Sequence, residues 1–243
     1  MAKPVRLAMW SGPRNISTAM MRSWGNRPDA LVWDEPLYAH YLAHTGIDHP
    51  GAADVIAAGE TNWEAVVEAL LAPLPSGKSL FFQKHMSHHL LPHVSREWML
   101  KVTNCFLIRD PRRVLASYIK TRPDATLADI GIVQQLEIYD YCVRAGQTPM
   151  VVDSRDILAD PARMLRAMCA ELNVHFTEAM LHWSPGLHEN DGVWAAHWYT
   201  NVVNSSGFTP YVESPVSLPA RYESMADEAT HAYRALYERR VRV

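Results

Sequence analysis

Short apolar runs alternate along the chain with segments in which apolar residues recur at helical spacing. The runs predict strands at residues 5–10, 30–33, 79–83, 104–108 and 150–152, and the helical segments are 17–24, 62–72, 112–119, 161–172 and 223–240. Strands that alternate with helices through short loops are typical of a mostly parallel sheet with helices on both faces. The pattern therefore predicts an α/β fold.

Charged residues cluster where these predicted strands end. Asp34 and Glu35 follow the second strand, Lys84 and His85 follow the third, and Arg109 follows the fourth. Ligands of parallel α/β sheets bind outside the carboxyl ends of the strands. We therefore expect a ligand site at this edge.

Chain length favours a single domain covering residues 1–243. Residues 184–219 are rich in Gly, Pro, Ser and Asn, and an irregular segment of this length in a compact domain is usually functional. We interpret it as an active-site flap, which is followed by a C-terminal helix at about 223–240.

Composition excludes several classes of function. The formal net charge of -3 argues against broad binding of nucleic acid or of an anionic membrane. Three widely spaced cysteines, Cys105, Cys142 and Cys169, predict buried free thiols and a reducing compartment. No segment approaches the roughly 20 apolar residues that span a bilayer. We therefore predict a cytoplasmic protein; the oligomeric state stays open.

The loop at residues 11–18 joins the first predicted strand to the first helix, where free backbone N–H groups form an anion site. It lacks the second glycine and the lysine of an ATP-type P-loop. It contains instead Arg14, a bidentate donor for phosphate or sulfate oxygens, and the hydroxyls of Ser17 and Thr18. The alternative is that Ser17 only caps the helix and Arg14 is a surface charge.

Two segments resemble the nucleotide-binding motifs of the sulfotransferases. Pro13-Arg14-x-x-Ser17-Thr18 is similar to their 5'-phosphosulfate-binding loop, and residues 106–118 are similar to their 3'-phosphate-binding segment, with Arg109 and Ser117 at the matching positions. The resemblance implies a P-loop NTPase-like sulfotransferase fold and the donor 3'-phosphoadenosine-5'-phosphosulfate (PAPS), whose product is adenosine 3',5'-bisphosphate. The implied nucleotide-binding residues are Arg14, Asn15, Ile16, Ser17, Thr18, Arg109 and Ser117.

The chain also departs from this family. Many cytosolic members carry lysine at the position of Arg14, and their C-terminal Arg-Lys-Gly motif is absent here. Arginine in the loop is closer to the carbohydrate and bacterial branches. Residues 204–208 are a candidate replacement for the absent motif.

Sulfuryl transfer needs a base for the proton of the acceptor. Glu35 resembles the base of the Glu-Pro element in carbohydrate-type and some bacterial members, and His85 resembles the base of cytosolic members; both stay candidates. Lys84 either contacts the sulfate or is solvated. Asp34 is expected to be a local turn acceptor. The implied reaction sulfates a hydroxyl or amine of a small-molecule acceptor.

Other functions compete with this reading. A nucleotide-dependent kinase would use the same strand-loop-helix anion site, and a non-catalytic nucleotide-binding module would explain the altered loop. The pairs His40/His44 and His89/His93 have the i,i+4 spacing of metal ligands. They lack a His-Glu-x-x-His arrangement and a cysteine pair, so no metal site is predicted.

Overall fold

The computed structural model describes residues 4–243, and a five-stranded sheet with all strands parallel runs through its centre. The order across the sheet is β2-β3-β1-β4-β5. The strands are β1 (Val5–Ser11), β2 (Ala30–Asp34), β3 (Leu80–Met86), β4 (Thr103–Ile108) and β5 (Met150–Asp153). The predicted α/β fold with a parallel sheet is confirmed.

Twelve α-helices connect or follow these strands in the described part of the chain. They are α1 (Ser17–Gly25), α2 (Tyr38–Thr45), α3 (Ala52–Ala58), α4 (Trp63–Leu71), α5 (Pro111–Tyr118), α6 (Leu127–Ile130), α7 (Ile132–Arg144), α8 (Ser154–Ala159), α9 (Pro161–Glu171), α10 (Ala195–Trp198), α11 (Thr200–Val203) and α12 (Glu223–Tyr237). None of the helices within residues 4–243 is long and apolar enough to cross a membrane.

Each face of the sheet covers its own apolar core, because successive strand residues point to opposite faces. On β1, Leu7 and Met9 pack with α1, α8 and α9, whereas Ala8 and Trp10 pack with α4, α5, α7 and α12. The same alternation on β3 sends adjacent residues to different layers. This alternation decides which polar side chains reach the functional site.

The three cysteines are divided between the two cores. Cys105 and Cys169 lie in the α1 layer and Cys142 lies in the opposite layer; all three are buried and free. Burial raises the pKa of the Cys142 and Cys169 thiols to about 11. The predicted buried free thiols are therefore present.

Residues 184–219 are less irregular than predicted. They include α10 and α11. Ala195 of α10 and Tyr199, which lies between the two helices, are buried against the α1 layer. Tryptophans at 194 and 198 also pack against that layer. Short helices with few turns give too little periodicity to be distinguished from a loop in the sequence.

Candidate active site

A cavity of about 340 Å³ opens at the carboxyl ends of the strands. Small-molecule sites usually enclose roughly 300–1,000 Å³, so the volume suits a nucleotide-sized ligand. Its walls come from the β1–α1 loop, the ends of β2 and β3, α5 and residues 198–209. Strand order thus brings together segments that are distant in the sequence, including part of the predicted flap.

The β1–α1 loop has an unusual backbone. Arg14 and Ile16 have φ angles of 60° and 59°, in the left-handed region that non-glycine residues seldom adopt. Asn15 between them donates through Nδ2 to the carbonyl oxygen of Leu107 at 3.0 Å, which ties the loop to β4. All five predicted loop residues, Arg14 to Thr18, line the cavity.

Gly12 determines how closely this loop packs against its neighbours. A Cβ atom at this position would lie 2.1 Å from the carbonyl oxygen of Ile130, far inside van der Waals contact. Only glycine fits there without moving the backbone. The shape of the loop therefore depends on the close packing of Gly12 against Ile130 and on the hydrogen bond from Asn15 to Leu107.

The second predicted anion segment meets the first directly. Arg109 donates through Nη1 to the carbonyl oxygen of Arg14 at 2.6 Å, and both residues line the cavity with Ser117 of α5. Among residues 4–243, no carboxylate lies within 4.0 Å of the Arg109 guanidinium. Burial, and then the positive charge of Arg113, lowers the pKa of Arg109.

Four polar groups meet where β2 and β3 end. Lys84 donates through Nζ to Asp34 Oδ1 at 2.8 Å, to Glu35 Oε1 at 2.5 Å and to the hydroxyl of Tyr199 at 2.7 Å. Tyr199 in turn donates to Asp34 Oδ2 at 2.6 Å. We call Asp34, Glu35, Lys84 and Tyr199 the ion-pair cluster.

Burial and charge act in opposite directions within the ion-pair cluster. Burial raises the pKa of Glu35, and the nearby Lys84 ammonium only partly offsets this. Burial by itself lowers the pKa of Lys84, but the carboxylates of Asp34 and Glu35 outweigh it and raise that pKa well above its usual value. Glu35 is thus shifted towards the range of a general base, beside a lysine that stays charged.

The structure excludes one of the two alternatives for Lys84 and corrects the prediction for Asp34. Lys84 is not solvated: its side chain is 1% exposed, and all three ammonium donors are in use. Asp34 is not a local turn acceptor, because its partners are Lys84, Tyr199 and the backbone N–H of Gly192, which lie 50, 165 and 158 residues away.

The structure places His85 outside the cavity. Its ring stacks on Trp10 with centroids 4.4 Å apart, and Trp98 lies at 5.5 Å. Lys84 and His85 are adjacent on β3, so only one of them can face the cavity, and it is Lys84. Burial lowers the pKa of His85 to about 3. The interpretation of His85 as a base therefore has no geometric support, whereas Glu35 lines the cavity.

Three other histidines line the cavity, His49, His88 and His89, and of these the sequence analysis named only His89, as a member of an i,i+4 pair. His88 and His89 belong to a 3-10 turn, Ser87–His89, which follows β3 directly. His89 stacks on Tyr38 with centroids 4.6 Å apart, and the Nδ1 atoms of both histidines are buried without a hydrogen-bond partner in the described part of the chain. Burial lowers the pKa of both, to about 4 for His88.

The histidine pairs do not form a metal centre. His40 and His93 approach each other at 3.0 Å between their Nε2 atoms, which brings one member of each predicted pair together. Within residues 4–243, no group of three or more His, Cys, Asp or Glu side chains is arranged to hold a metal ion.

Comparison with protein families gives one match over nearly the whole chain. A family model described as "Sulfotransferase domain" matches residues 5–240. Branched-chain-amino-acid aminotransferase-like protein 1 of Arabidopsis thaliana is 34% identical over 236 residues, which make up 97% of this chain and 42% of that protein. The chain thus spans about two-fifths of the length of this curated relative, and the relative's name describes a longer protein.

Solved structures with a similar fold include two whose titles name sulfotransferases. The sulfotransferase from Alicyclobacillus acidocaldarius has a TM-score of 0.59 and 13% identity, and the match covers 99% of this chain and 98% of that one. The sulfotransferase domain from the curacin biosynthetic pathway has a TM-score of 0.53 and 14% identity, covering 94% and 99%. At such identities the likeness shows the fold alone.

Proposed function

The chain belongs to the sulfotransferase-domain family, and we propose that it transfers a sulfuryl group from PAPS to a hydroxyl or amine of a small acceptor. The observation that carries this proposal is the hydrogen bond from Arg109 to the carbonyl of Arg14. It joins the two predicted nucleotide-binding segments, and both line the same cavity as Glu35, Lys84 and Tyr199. A donor held by these two segments would present its sulfuryl group to Glu35.

The residues of these two segments fit the charge of the nucleotide. Arg14 Nε is buried and has no hydrogen-bond partner among the described residues, which suits an anionic ligand that supplies one. Arg14 and the N–H groups at the start of α1 would hold the 5'-phosphosulfate. Arg109 and Ser117 would hold the 3'-phosphate.

Glu35 is the base in this proposal. Its carboxylate takes the proton of the acceptor hydroxyl or amine as the acceptor atom attacks sulfur. The bond from sulfur to the bridging oxygen breaks, and adenosine 3',5'-bisphosphate leaves with that electron pair. Arg14 and the loop N–H groups stabilise the charge that develops on the leaving phosphate. Lys84 holds the Glu35 carboxylate in position through its hydrogen bond to Oε1.

Calorimetry tests the nucleotide assignment. We expect adenosine 3',5'-bisphosphate to bind more tightly than ATP or AMP, and Arg109→Gln to weaken that binding by about 1.5–3 kcal/mol through lost charge-assisted hydrogen bonds. A preference for ATP would favour the kinase instead. Tight bisphosphate binding without transfer to any member of a broad acceptor panel would favour the non-catalytic module.

Turnover with PAPS tests the base. Glu35→Gln should lower kcat by about 10²-fold or more while leaving nucleotide affinity close to that of the wild type. Glu68→Gln is the matched control, because Glu68 is exposed on α4 and lies far from the cavity lining. A Glu35→Gln rate within about threefold of the wild type would remove Glu35 from this role.

A further inference from the structure

A second group of charged residues borders the part of the cavity assigned to the 3'-phosphate. Arg113 lies one helical turn before Ser117 on α5, so the two side chains share a face of that helix. Tyr211 donates its backbone N–H to the carbonyl oxygen of Leu158 at 3.2 Å, and both Leu158 and Thr209 line the cavity. Arg113 and Tyr211 thus lie beside the cavity at this end.

Arg113 is held by an acidic partner from the segment after α11. Its Nη2 atom lies 2.5 Å from Glu213 Oε1 and donates to the carbonyl oxygen of Ser214 at 2.9 Å. The guanidinium lies over the ring of Tyr211 at 5.4 Å. The Arg113 side chain is only 14% exposed, whereas that of Glu213 is 64% exposed. The arginine is therefore fixed, and its partner lies at the surface.

The donors that surround the Glu213 carboxylate have the features of an anion site. Its second oxygen lies 3.3 Å from Arg155 Nη2 and accepts from the Tyr211 hydroxyl at 2.9 Å. Two guanidinium groups and a phenol thus converge on one carboxylate. A phosphate offers the same planar pair of acceptor oxygens and more negative charge.

Arg112, the neighbour of Arg113, does not share these contacts with Glu213 and Tyr211. Arg112 points to the other side of α5, where its guanidinium pairs with Glu223 at 2.6 Å and with Asp227 at 3.7 Å on α12. It therefore ties two helices together, away from the cavity. The two arginines differ in position by one residue and form a natural comparison.

A 3'-phosphate needs more positive charge than the cavity wall supplies. The group carries about −1.5 to −2 charges at neutral pH. Arg109 lines this end of the cavity with Ser117, and one of its donors is already used by the carbonyl of Arg14. A further guanidinium close to Ser117 would supply the missing charge.

We propose, building on the proposed function, that Arg113 is a second guanidinium ligand of the nucleotide 3'-phosphate and that Glu213 holds it until the nucleotide displaces the carboxylate. Glu213 then competes with the ligand, and the segment that carries it loses an anchor when the nucleotide binds. Arg113 thereby discriminates nucleotides with a 3'-phosphate from those without one.

The test is calorimetry with adenosine 3',5'-bisphosphate and with AMP, which lacks the 3'-phosphate. Arg113→Gln should weaken bisphosphate binding by about tenfold or more and leave AMP binding unchanged. Glu213→Gln should do the opposite and tighten bisphosphate binding by about two- to fivefold, the range of a surface ion pair that no longer competes. Arg112→Gln and Glu223→Gln are the matched controls and should change neither affinity.

Three results would overturn this inference while leaving the proposed function intact. The first is bisphosphate binding by Arg113→Gln within about twofold of the wild type. The second is equal weakening for both nucleotides, which indicates a structural role. The third is unchanged or weaker bisphosphate binding by Glu213→Gln. Failure of the wild-type protein to bind the bisphosphate would instead reject the proposed function, and this inference with it.

Discussion

Replacing Lys84 by methionine removes one positive charge from a place where two carboxylates are buried. The side chains of Asp34 and Glu35 are 2% and 10% exposed, and Lys84 donates to both. Removing one partner of a buried ion pair costs about 3–5 kcal/mol, because the other charge stays buried without compensation. Methionine has a similar length, so the added cost of a cavity is small. Since domains are stable by about 5–15 kcal/mol, Lys84→Met should remove a large part of the free energy of unfolding.

The sign of the pH dependence follows from the same contacts. Because the pKa of Lys84 is raised, its stabilising effect is fully present below the pKa of an unfolded lysine and is lost only as pH rises through the folded value. Burial raises the pKa of Glu35, and loss of the ammonium raises it further. In Lys84→Met, a falling pH therefore neutralises Glu35 and removes part of the destabilisation.

Urea unfolding at about pH 8 and at about pH 5 measures both effects. The difference from wild type should be larger at the higher pH, and the double variant Lys84→Met/Asp34→Asn should recover part of the loss because one buried charge is gone. A loss below about 1 kcal/mol at the higher pH, the size of a surface ion pair, would refute the reasoning. Equal losses at both pH values would refute it as well.

Three further predictions concern the cavity. Gly12→Ala should lower the free energy of unfolding by about 2 kcal/mol or more and weaken nucleotide binding, because its Cβ meets the carbonyl of Ile130; unchanged urea unfolding and calorimetry would contradict the packing argument. Tyr199→Phe should cost about 1–3 kcal/mol in urea unfolding, because Asp34 loses its phenol donor; a neutral effect would mean that the phenol adds nothing to the ion-pair cluster. The pH profile of kcat/KM should rise with pH through the Glu35 pKa, which burial raises above its usual 4.5; a fall over that range would contradict a base at this position.

The strands and the two anion segments could be predicted from the sequence because their signals are local. Each strand is a short apolar run ending in a charged or turn residue, and the loop of Arg14 and the segment of Arg109 follow strands directly. Helix α7 lacks so clear a signal, because Gln135 interrupts its buried face. The Gln135 side chain is fully buried and donates to the backbone carbonyls of Trp10 and Leu107. This core position is polar because it satisfies those two carbonyls.

The ion-pair cluster could be predicted only in part. Glu35 and Lys84 stand at the ends of predicted strands, but no spacing links Asp34 to Tyr199, which lies 165 residues further along in a segment with weak periodicity. The sequence left His85 open as a base because its predicted strand ended at Gln83. In the structure β3 continues to Met86, and alternation turns that imidazole into the core. Strand ends that differ by two or three residues thus decide which side chain reaches the cavity.

The three buried thiols give the native protein built-in reporters of local opening. Cys105 and Cys169 lie on one side of the sheet and Cys142 on the other, and burial raises the pKa of each, so alkylating reagents reach them only when the surrounding layer opens. Site-resolved alkylation rates, read by mass spectrometry with and without nucleotide, would therefore compare the opening of the two layers in the unlabelled wild-type chain. A nucleotide that binds the β1–α1 loop should slow the labelling of Cys105 and Cys169, in the α1 layer, more than the labelling of Cys142.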